Sequence, residues 1–284
     1  MDRIGVVGCG LMGSGIAEVT ARAGANVLVV EQDAVAMGKG LERIEKSLLR
    51  AVTSGKMAEE ESRRIRANLS FTTEFSELED RELVIEAVAE NEEIKLDVFR
   101  KIDAAVKDPE AILATNTSSI PIIKLAMATH RPEQVIGMHF FNPVPILKLV
   151  ELISSLLTSP ETTARVRSYA TESLSKRVIT SPDRAGFVVN ALLIPYLLSA
   201  IRMLESGFAS AEDIDTGMVV GCAHPMGPLA LTDLIGLDTT MAVAESLYEE
   251  FKEPHLAPPP LLSRMTQAGL MGRKSGQGLF SYKK

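Results

Sequence analysis

Short apolar runs rich in β-branched residues alternate with longer stretches of helical periodicity over the first two thirds of the chain. The apolar runs predict strands at 3–8, 26–31, 83–88, 111–115, 135–139 and 146–152. The longer stretches predict helices at 13–24, 34–55, 92–107 and 161–175. Because this alternation is typical of a doubly wound, mostly parallel sheet, we predict an α/β domain over residues 1–184.

The segment 34–67 is longer than one crossover helix needs and is rich in both acidic and basic residues. We interpret it as a pair of helices projecting from the sheet, a helical-arm insertion whose hinge lies near residues 53–55. After about residue 182 the strands cease, and helical stretches follow at 186–206, 211–221, 228–236, 238–252 and 260–268. A second, all-α domain over residues 185–284 is therefore predicted.

Composition narrows the class of protein. A formal net charge of −7 argues against a general nucleic-acid or membrane-surface binder. The two cysteines, Cys9 and Cys222, suggest neither a disulfide framework nor a cysteine metal site.

The first strand begins at residue 3 and no apolar run is long enough to span a membrane, so we expect a cytoplasmic protein. The apolar helix at 187–204 has more surface than its domain can bury, which predicts a homodimer.

The first strand runs into a turn that matches G-x-G-x-x-G, with its glycines at Gly8, Gly10 and Gly13. Gly8 permits a tight turn, Gly10 lets the backbone approach a pyrophosphate, and Gly13 lets the next helix pack closely on the strand. The free N–H groups of the helix beginning near Met12 would face the anion. This order of strand, glycine turn and helix predicts a Rossmann-like dinucleotide-binding domain.

Glu31 ends the second predicted strand, about 20 residues beyond the turn, where the adenosine ribose of a dinucleotide would lie. A carboxylate there accepts hydrogen bonds from the ribose hydroxyls and repels a 2′-phosphate. The next two residues, Gln32 and Asp33, are not basic. We therefore predict NAD rather than NADP as the cofactor.

Polar side chains follow the predicted strands at 111–115 and 135–139, where an open α/β sheet binds its ligands. The run 115–119 reads Thr-Asn-Thr-Ser-Ser and is interpreted either as a turn or helix cap or as part of a ligand site. His139 leaves the later strand, and Glu151 lies in an apolar run where an unpaired carboxylate is costly to bury. We predict that Glu151 pairs with His139 and stabilises its protonated form.

Asn190 is a polar amide in an otherwise apolar helix, and a buried amide needs hydrogen-bond partners. Two interpretations remain open for it. It is either a satisfied core residue or a hydrogen-bonding group that faces a cleft between the two domains.

These motifs resemble the L-3-hydroxyacyl-CoA dehydrogenase family, in its short, single-function bacterial form, from Arg3 to Tyr282. The resemblance is carried by the segments 8–17, 86–91, 115–119, 139–145, 148–151, 186–196, 212–216, 225–228 and 272–280. It implies an NAD-dependent, reversible oxidation of an (S)-3-hydroxyacyl-CoA, of short chain such as 3-hydroxybutyryl-CoA, to the 3-oxoacyl-CoA.

The resemblance also implies roles for individual residues. His139 would be the catalytic base, oriented by Glu151. Ser118 would hydrogen-bond the 3-oxygen of the substrate, and Asn190 would help to position its thioester side. Ser47 and Lys56 in the helical arm would contact coenzyme A. The residues implied to bind NAD are Gly8, Gly10, Leu11, Met12, Gly13, Glu31, Glu90, Lys95, Asn116, Ser118, Asn142 and Lys274.

Three rival interpretations remain. Ser118, His139 and Glu151 could form a hydrolase triad, although the chain lacks G-x-S-x-G and such an enzyme would have no use for the glycine turn. An NAD-binding scaffold without activity would not need the four polar residues Ser118, His139, Glu151 and Asn190. The same chemistry on a hydroxy acid without CoA would not need the basic arm around Ser47.

Overall fold

The computed structural model describes residues 1–282, and the chain divides into two compact units, residues 1–184 and the residues from 185 onward. The first unit contains an eight-stranded sheet in the order β3-β2-β1-β4-β5-β6-β7-β8, and neighbouring strands are parallel except for β6 and β7. The strands are β1 (Arg3–Val7), β2 (Asn26–Val30), β3 (Leu69–Thr72), β4 (Leu83–Glu86), β5 (Ile112–Thr115), β6 (Val135–Phe140), β7 (Leu149–Ser154) and β8 (Arg177–Pro182). The order of the first six strands is that of a Rossmann-like sheet, which confirms the predicted fold class.

Helices cover this sheet and build the second unit. Those of the first unit are α1 (Leu11–Arg22), α2 (Ala34–Thr53), α3 (Glu59–Ala67), α4 (Glu92–Ala105), α5 (Ile122–Ala126) and α6 (Pro160–Ser168). Those of the second unit are α7 (Val189–Glu205), α8 (Ala211–Gly221), α9 (Pro228–Ile235), α10 (Leu237–Phe251) and α11 (Pro260–Gln267). In the described part of the chain, no helix combines the length and the apolar character needed to cross a membrane.

Several predicted boundaries differ from the observed ones. The edge strands β3 and β8 were not predicted, because both are only partly buried and neither is a continuous apolar run. The strand predicted at 146–152 lies at Leu149–Ser154, since Ile146 and Leu147 belong to an exposed loop. The helix predicted at 161–175 ends at Ser168 and continues as a π-helical turn.

The helical arm, α2 with α3, forms as predicted, with its hinge in residues 54–58. Asp33 caps α2 by accepting a hydrogen bond from the backbone N–H of Ala36 at 2.7 Å. One face of the arm does not stand free, because Ile44 and Ile65 are buried in the same apolar core as the central strands. The opposite face is charged and solvated, so burial of this apolar stripe holds the arm on the domain.

The turn after β1 depends on two of its glycines. Gly8 has φ +89°, a conformation that side-chain-bearing residues rarely adopt. A Cβ on Gly13 would lie 1.9 Å from the carbonyl oxygen of Gly8, whereas a Cβ on Gly10 would meet nothing within 4 Å. Helix α1 therefore packs against the turn at Gly13, while the space beside Gly10 stays open.

We predict that Gly13→Ala lowers the free energy of unfolding by more than about 2 kcal/mol, because overpacking against backbone cannot relax easily. Urea denaturation followed by circular dichroism measures the change. The matched control is Gly38→Ala in α2, where a Cβ meets nothing and should stabilise by about 0.5–1 kcal/mol. Equal effects of the two substitutions would contradict the close approach of Gly13 to Gly8.

Candidate active site

A cleft of about 820 Å³ lies at the carboxyl ends of β1, β2 and β4. The glycine turn forms its floor through Gly8 and Gly10, and Glu31 and Val88 line it further along. Its position is the crevice in which open α/β sheets bind dinucleotides. With the open space beside Gly10, the cleft has room for a dinucleotide next to Gly8 and Gly10, while Leu11, Met12 and Gly13 do not line it.

Glu31 is half-buried at the end of β2 and accepts hydrogen bonds from the backbone N–H groups of Cys9 and Gln32. These donors hold its carboxylate against the glycine turn. Two cationic side chains not predicted from the sequence, Lys39 and Arg43, also line the cleft. They lie one turn apart on α2, and this i, i+4 spacing beyond the strand-end acid is the signal that could have identified them.

A cluster of polar side chains lies near the ends of β5 and β6 and the start of β7. In the antiparallel ladder of β6 with β7, His139 is directly opposite Glu151. His139 Nδ1 lies 2.8 Å from Glu151 Oε2, and His139 Nε2 lies 3.0 Å from Ser118 Oγ. Both ring nitrogens therefore have defined partners, and Glu151 is fully buried.

The buried Glu151 carboxylate selects one arrangement of protons on the imidazole. When Nδ1–H donates to Glu151, Nε2 is left as an acceptor facing the Ser118 hydroxyl. The ring of His139 also contacts that of Phe141, with centroids 4.7 Å apart. An imidazole held in this way can exchange a proton with a group bound beside Ser118.

The loop after β5 carries Ser118, and Glu90 organises this loop. Glu90 Oε1 accepts hydrogen bonds from the Thr117 hydroxyl at 2.6 Å, from the Ser118 N–H at 2.8 Å and from the Ser119 N–H at 3.0 Å. Burial alone would raise the pKa of Glu90, but Lys95 and these hydrogen bonds hold it below its usual range. The ionised carboxylate is therefore the form that orders the loop.

Lys95 is 1% exposed and makes a buried ion pair with Glu86, with Nζ 2.6 Å from Oε1. Its ammonium also lies 3.4 Å from Glu90 Oε2. The other Glu86 oxygen accepts a hydrogen bond from the Thr115 hydroxyl at 2.7 Å. Sequence reasoning missed Glu86 as part of this network, although a lone acid in an apolar strand was a usable signal.

Asn116 is buried, and its side-chain carbonyl accepts a hydrogen bond from the Phe140 N–H at 2.8 Å. This bond ties the loop after β5 to the end of β6, next to His139. Asn142, predicted to contact NAD, is exposed at the start of the loop after β6. Asn116 is thus bonded to the residue that follows His139, whereas Asn142 lines the second cleft.

The residues expected to contact coenzyme A are only partly brought together. Ser47 lines a second cleft of about 530 Å³, which it shares with Asn142 and with the arm residues Arg43 and Arg50. Lys56 is exposed in the turn after α2 and does not line that cleft.

Two further predicted residues belong to the second unit. Asn190 is half-buried in the first turn of α7. Lys274 is exposed and pairs with Asp238 of α10. Neither residue is fully buried.

The Rossmann-like sheet, the glycine turn and the strand-end acid define an NAD-dependent oxidoreductase. The family model described as 3-hydroxyacyl-CoA dehydrogenase, NAD binding domain, matches residues 3–184, and the one for the C-terminal domain matches residues 186–282. The chain belongs to the 3-hydroxyacyl-CoA dehydrogenase family.

Relatives align over the full chain. A 3-hydroxybutyryl-CoA dehydrogenase of Mycobacterium tuberculosis is 56% identical over 282 residues, which cover 99% of each chain. The crystal structure of FadB2 from the same species is 55% identical, has a TM-score of 0.99 and covers 100% of this chain and 99% of its own. That of an (S)-3-hydroxybutyryl-CoA dehydrogenase of Ralstonia eutropha has a TM-score of 0.95 at 44% identity and covers 100% of both chains.

The lowered pKa of Glu90 predicts a pH-dependent contribution to stability. The contribution is fully present above the ordinary carboxyl pKa of 4.5 and is lost as the pH falls through the lower pKa of the folded state. We therefore expect Glu90→Gln to be less stable than the unsubstituted protein at neutral pH, with a difference that shrinks in acid. Urea denaturation at a series of pH values measures this difference.

Glu93→Gln is the control for this measurement, since Glu93 is an exposed acid on the same helix, α4. Its difference from the unsubstituted protein should stay small at every pH. A Glu90→Gln difference that grows in acid would show that the protonated form of Glu90 orders the loop instead.

Proposed function

We propose that this protein catalyses the reversible, NAD-dependent oxidation of a short-chain (S)-3-hydroxyacyl-CoA, such as 3-hydroxybutyryl-CoA, to the 3-oxoacyl-CoA. The observation that carries the proposal is the chain of contacts from Ser118 Oγ through the His139 ring to the buried Glu151 carboxylate. The relatives at 56% and 44% identity are 3-hydroxybutyryl-CoA dehydrogenases, which supports the substrate.

His139 is the proposed general base. Its Nε2 accepts the proton of the 3-hydroxyl group, and Ser118 hydrogen-bonds the same oxygen and keeps it beside the imidazole. When bound, NAD supplies the acceptor for the hydride that leaves C3 of the substrate. In the reverse direction, protonated His139 donates a proton to the 3-oxygen. Asn190 is proposed to position the thioester side of the substrate.

Glu151 is the proposed orienting residue. Its carboxylate lies in a fully buried position, where the attraction between opposite charges is weakly screened. The positive charge that develops on His139 during oxidation is therefore stabilised where it forms. Glu151 also prevents the ring from turning its Nδ1 towards the substrate.

The cofactor and coenzyme A sites are proposed on the two clefts of the first unit. NAD would occupy the larger cleft, with the glycine turn at its pyrophosphate and Glu31 at its ribose. The family resemblance implies Glu90, Lys95, Asn116, Asn142 and Lys274 as further contacts, although none of the five lines that cleft. Coenzyme A would lie along the second cleft, with Ser47 as a contact. The family resemblance implies Lys56 as a further contact, although Lys56 does not line that cleft. The cations Arg43 and Arg50 in that cleft suit an anionic substrate.

The second unit is proposed to contribute to the substrate site and to form a homodimer. Its exposed apolar side chains support the homodimer, namely Leu192 at 74%, Phe208 at 79% and Val220 at 78%. Burial of such residues against a second copy would remove apolar surface from water. We place the enzyme in the cytoplasm.

We predict that His139→Gln lowers kcat for acetoacetyl-CoA reduction by about 10²–10⁴-fold, because the proton donor is lost. NADH binding, measured by fluorescence titration, should be retained. The control is His255→Gln, an exposed histidine of the second unit, which should keep full activity.

Two outcomes would count against the assignment. Unchanged turnover in His139→Gln would remove the histidine from the mechanism. Release of free CoA from acetoacetyl-CoA without NADH, measured with a thiol reagent, would instead favour the hydrolase interpretation of Ser118, His139 and Glu151.

The position of Glu31 predicts a preference for NADH over NADPH, because its carboxylate repels a 2′-phosphate. In Glu31→Gln, which is isosteric but neutral, the ratio of kcat/KM for NADPH to that for NADH should rise by about tenfold or more. Steady-state rates with both cofactors measure the ratio. The control is Glu60→Gln, which changes an exposed acid on the arm and should leave the ratio unchanged. A preference of the unsubstituted enzyme for NADPH would contradict this role of Glu31.

A further inference from the structure

A third cavity, of about 310 Å³, lies between the C-terminal end of α1, the loop 141–148 and the start of β8. Three cationic side chains line it, those of Arg22, Lys148 and Lys176. None of the described residues that line it is acidic, although the chain as a whole carries a formal net charge of −7. The hydroxyls of Ser173 and Ser175 add neutral donors.

Arg22, which lines this cavity, has an unused hydrogen-bond donor in its guanidinium. Its Nη2 donates to Glu18 Oε1 at 3.0 Å, so one end of the guanidinium is engaged. Its Nε is buried and has no hydrogen-bond partner among the described residues. A buried donor without an acceptor costs about 1–3 kcal/mol, and a turn of the Arg22 side chain towards an anion in the cavity would relieve that cost.

Lys176 places a buried positive charge beside Arg22. It is 8% exposed, and its ammonium donates to the carbonyl oxygens of Val144 at 2.6 Å and of Leu147 at 2.7 Å. An ammonium has three N–H donors, so these two bonds leave one for a ligand. Burial and the nearby Arg22 lower the pKa of Lys176, so the positive charge lacks compensation there.

We propose that this cavity is a binding site for a phosphate group, held by Arg22, Lys148 and Lys176. Three cations with one neighbouring carboxylate, Glu18, leave an excess of positive charge that suits a dianion better than a neutral ligand. The phosphate could belong to the adenosine 3′-phosphate end of coenzyme A or to a free phosphate compound.

The position of the cavity connects it with the substrate cleft. Pro145 lines both this cavity and the cleft that contains Ser47. A long substrate lying along that cleft would therefore pass beside the cationic cavity. The assignment to coenzyme A rests on the proposed function, whereas the assignment to a phosphate group does not.

Isothermal titration calorimetry tests the site with inorganic phosphate and adenosine 3′,5′-bisphosphate, on full-length protein saturated with NADH to block the larger cleft. Lys148→Gln, at an exposed position, should raise the Kd of the bisphosphate about 5- to 10-fold by removing one charge-assisted contact. Arg22→Lys keeps the charge beside Glu18 but removes Nε and should raise the Kd about 3-fold. The control is Lys107→Gln, which removes the same charge from another exposed loop and should leave the Kd of the bisphosphate unchanged.

A kinetic comparison identifies the source of the phosphate. If it is coenzyme A, Lys148→Gln should raise the KM of acetoacetyl-CoA by a similar factor, but not that of acetoacetyl-pantetheine, which lacks phosphate groups. If the calorimetric effect appears without the KM effect, the site is supported and its ligand is a free phosphate compound.

Equal phosphate affinities in the unsubstituted protein, Lys148→Gln and Arg22→Lys would overturn the proposal. Circular dichroism confirms that each variant is folded before this comparison is made. Failure of the unsubstituted protein to reduce either thioester would count against the proposed function, and the titrations alone would then decide the site.

Discussion

Residues 141–148 connect β6 to β7 in too few residues for the crossover that a parallel strand would need, so β7 returns antiparallel. That reversal places Glu151 directly across the ladder from His139. With the opposite direction, or with a register shifted by one residue, the carboxylate would face away from the ring. The distance of 2.8 Å between His139 Nδ1 and Glu151 Oε2 thus follows from a short loop and from strand pairing.

Two buried acid–base pairs lie near the carboxyl ends of β4 and β6. Glu151 is paired with His139, and Glu86 with Lys95, and all four side chains are at most 6% exposed. Removing one partner of a buried pair typically costs about 3–5 kcal/mol, because the other charge is left uncompensated. Through Lys95 and Glu90, the second pair also orders the loop that presents Ser118. The network therefore connects the cofactor cleft with the proposed base.

The features predicted best from the sequence are those dictated by burial. Strands β1, β2, β4, β5 and β6 are almost wholly buried, so their apolar runs were visible, and the glycine turn reflects backbone sterics. The edge strands β3 and β8 bury only part of their residues and gave no such run. The pairing of Glu151 with His139 was predicted from the cost of a buried carboxylate. Glu86, Lys39 and Arg43 each left a local signal in the sequence, but their partners lie on distant segments, which periodicity does not reveal.

The net charge of this acidic protein does not predict where it can bind anions. Its formal charge of −7 argues against general nucleic-acid binding, yet cationic side chains line each of the three cavities described above. Lys39 and Arg43 line the first, Arg43 and Arg50 the second, and Arg22, Lys148 and Lys176 the third. In the first cleft Glu31, Asp33 and Asp97 balance Lys39, Arg43 and Lys101, whereas the cations of the second exceed its one acid, Glu18, and the third has no acidic lining residue. Because clefts with low-dielectric walls focus the local potential, the excess of cations acts most strongly in the second and third cavities. The placement of charge on α1, α2 and the loop after β6, rather than its sum, is what suits this domain to phosphate-bearing ligands.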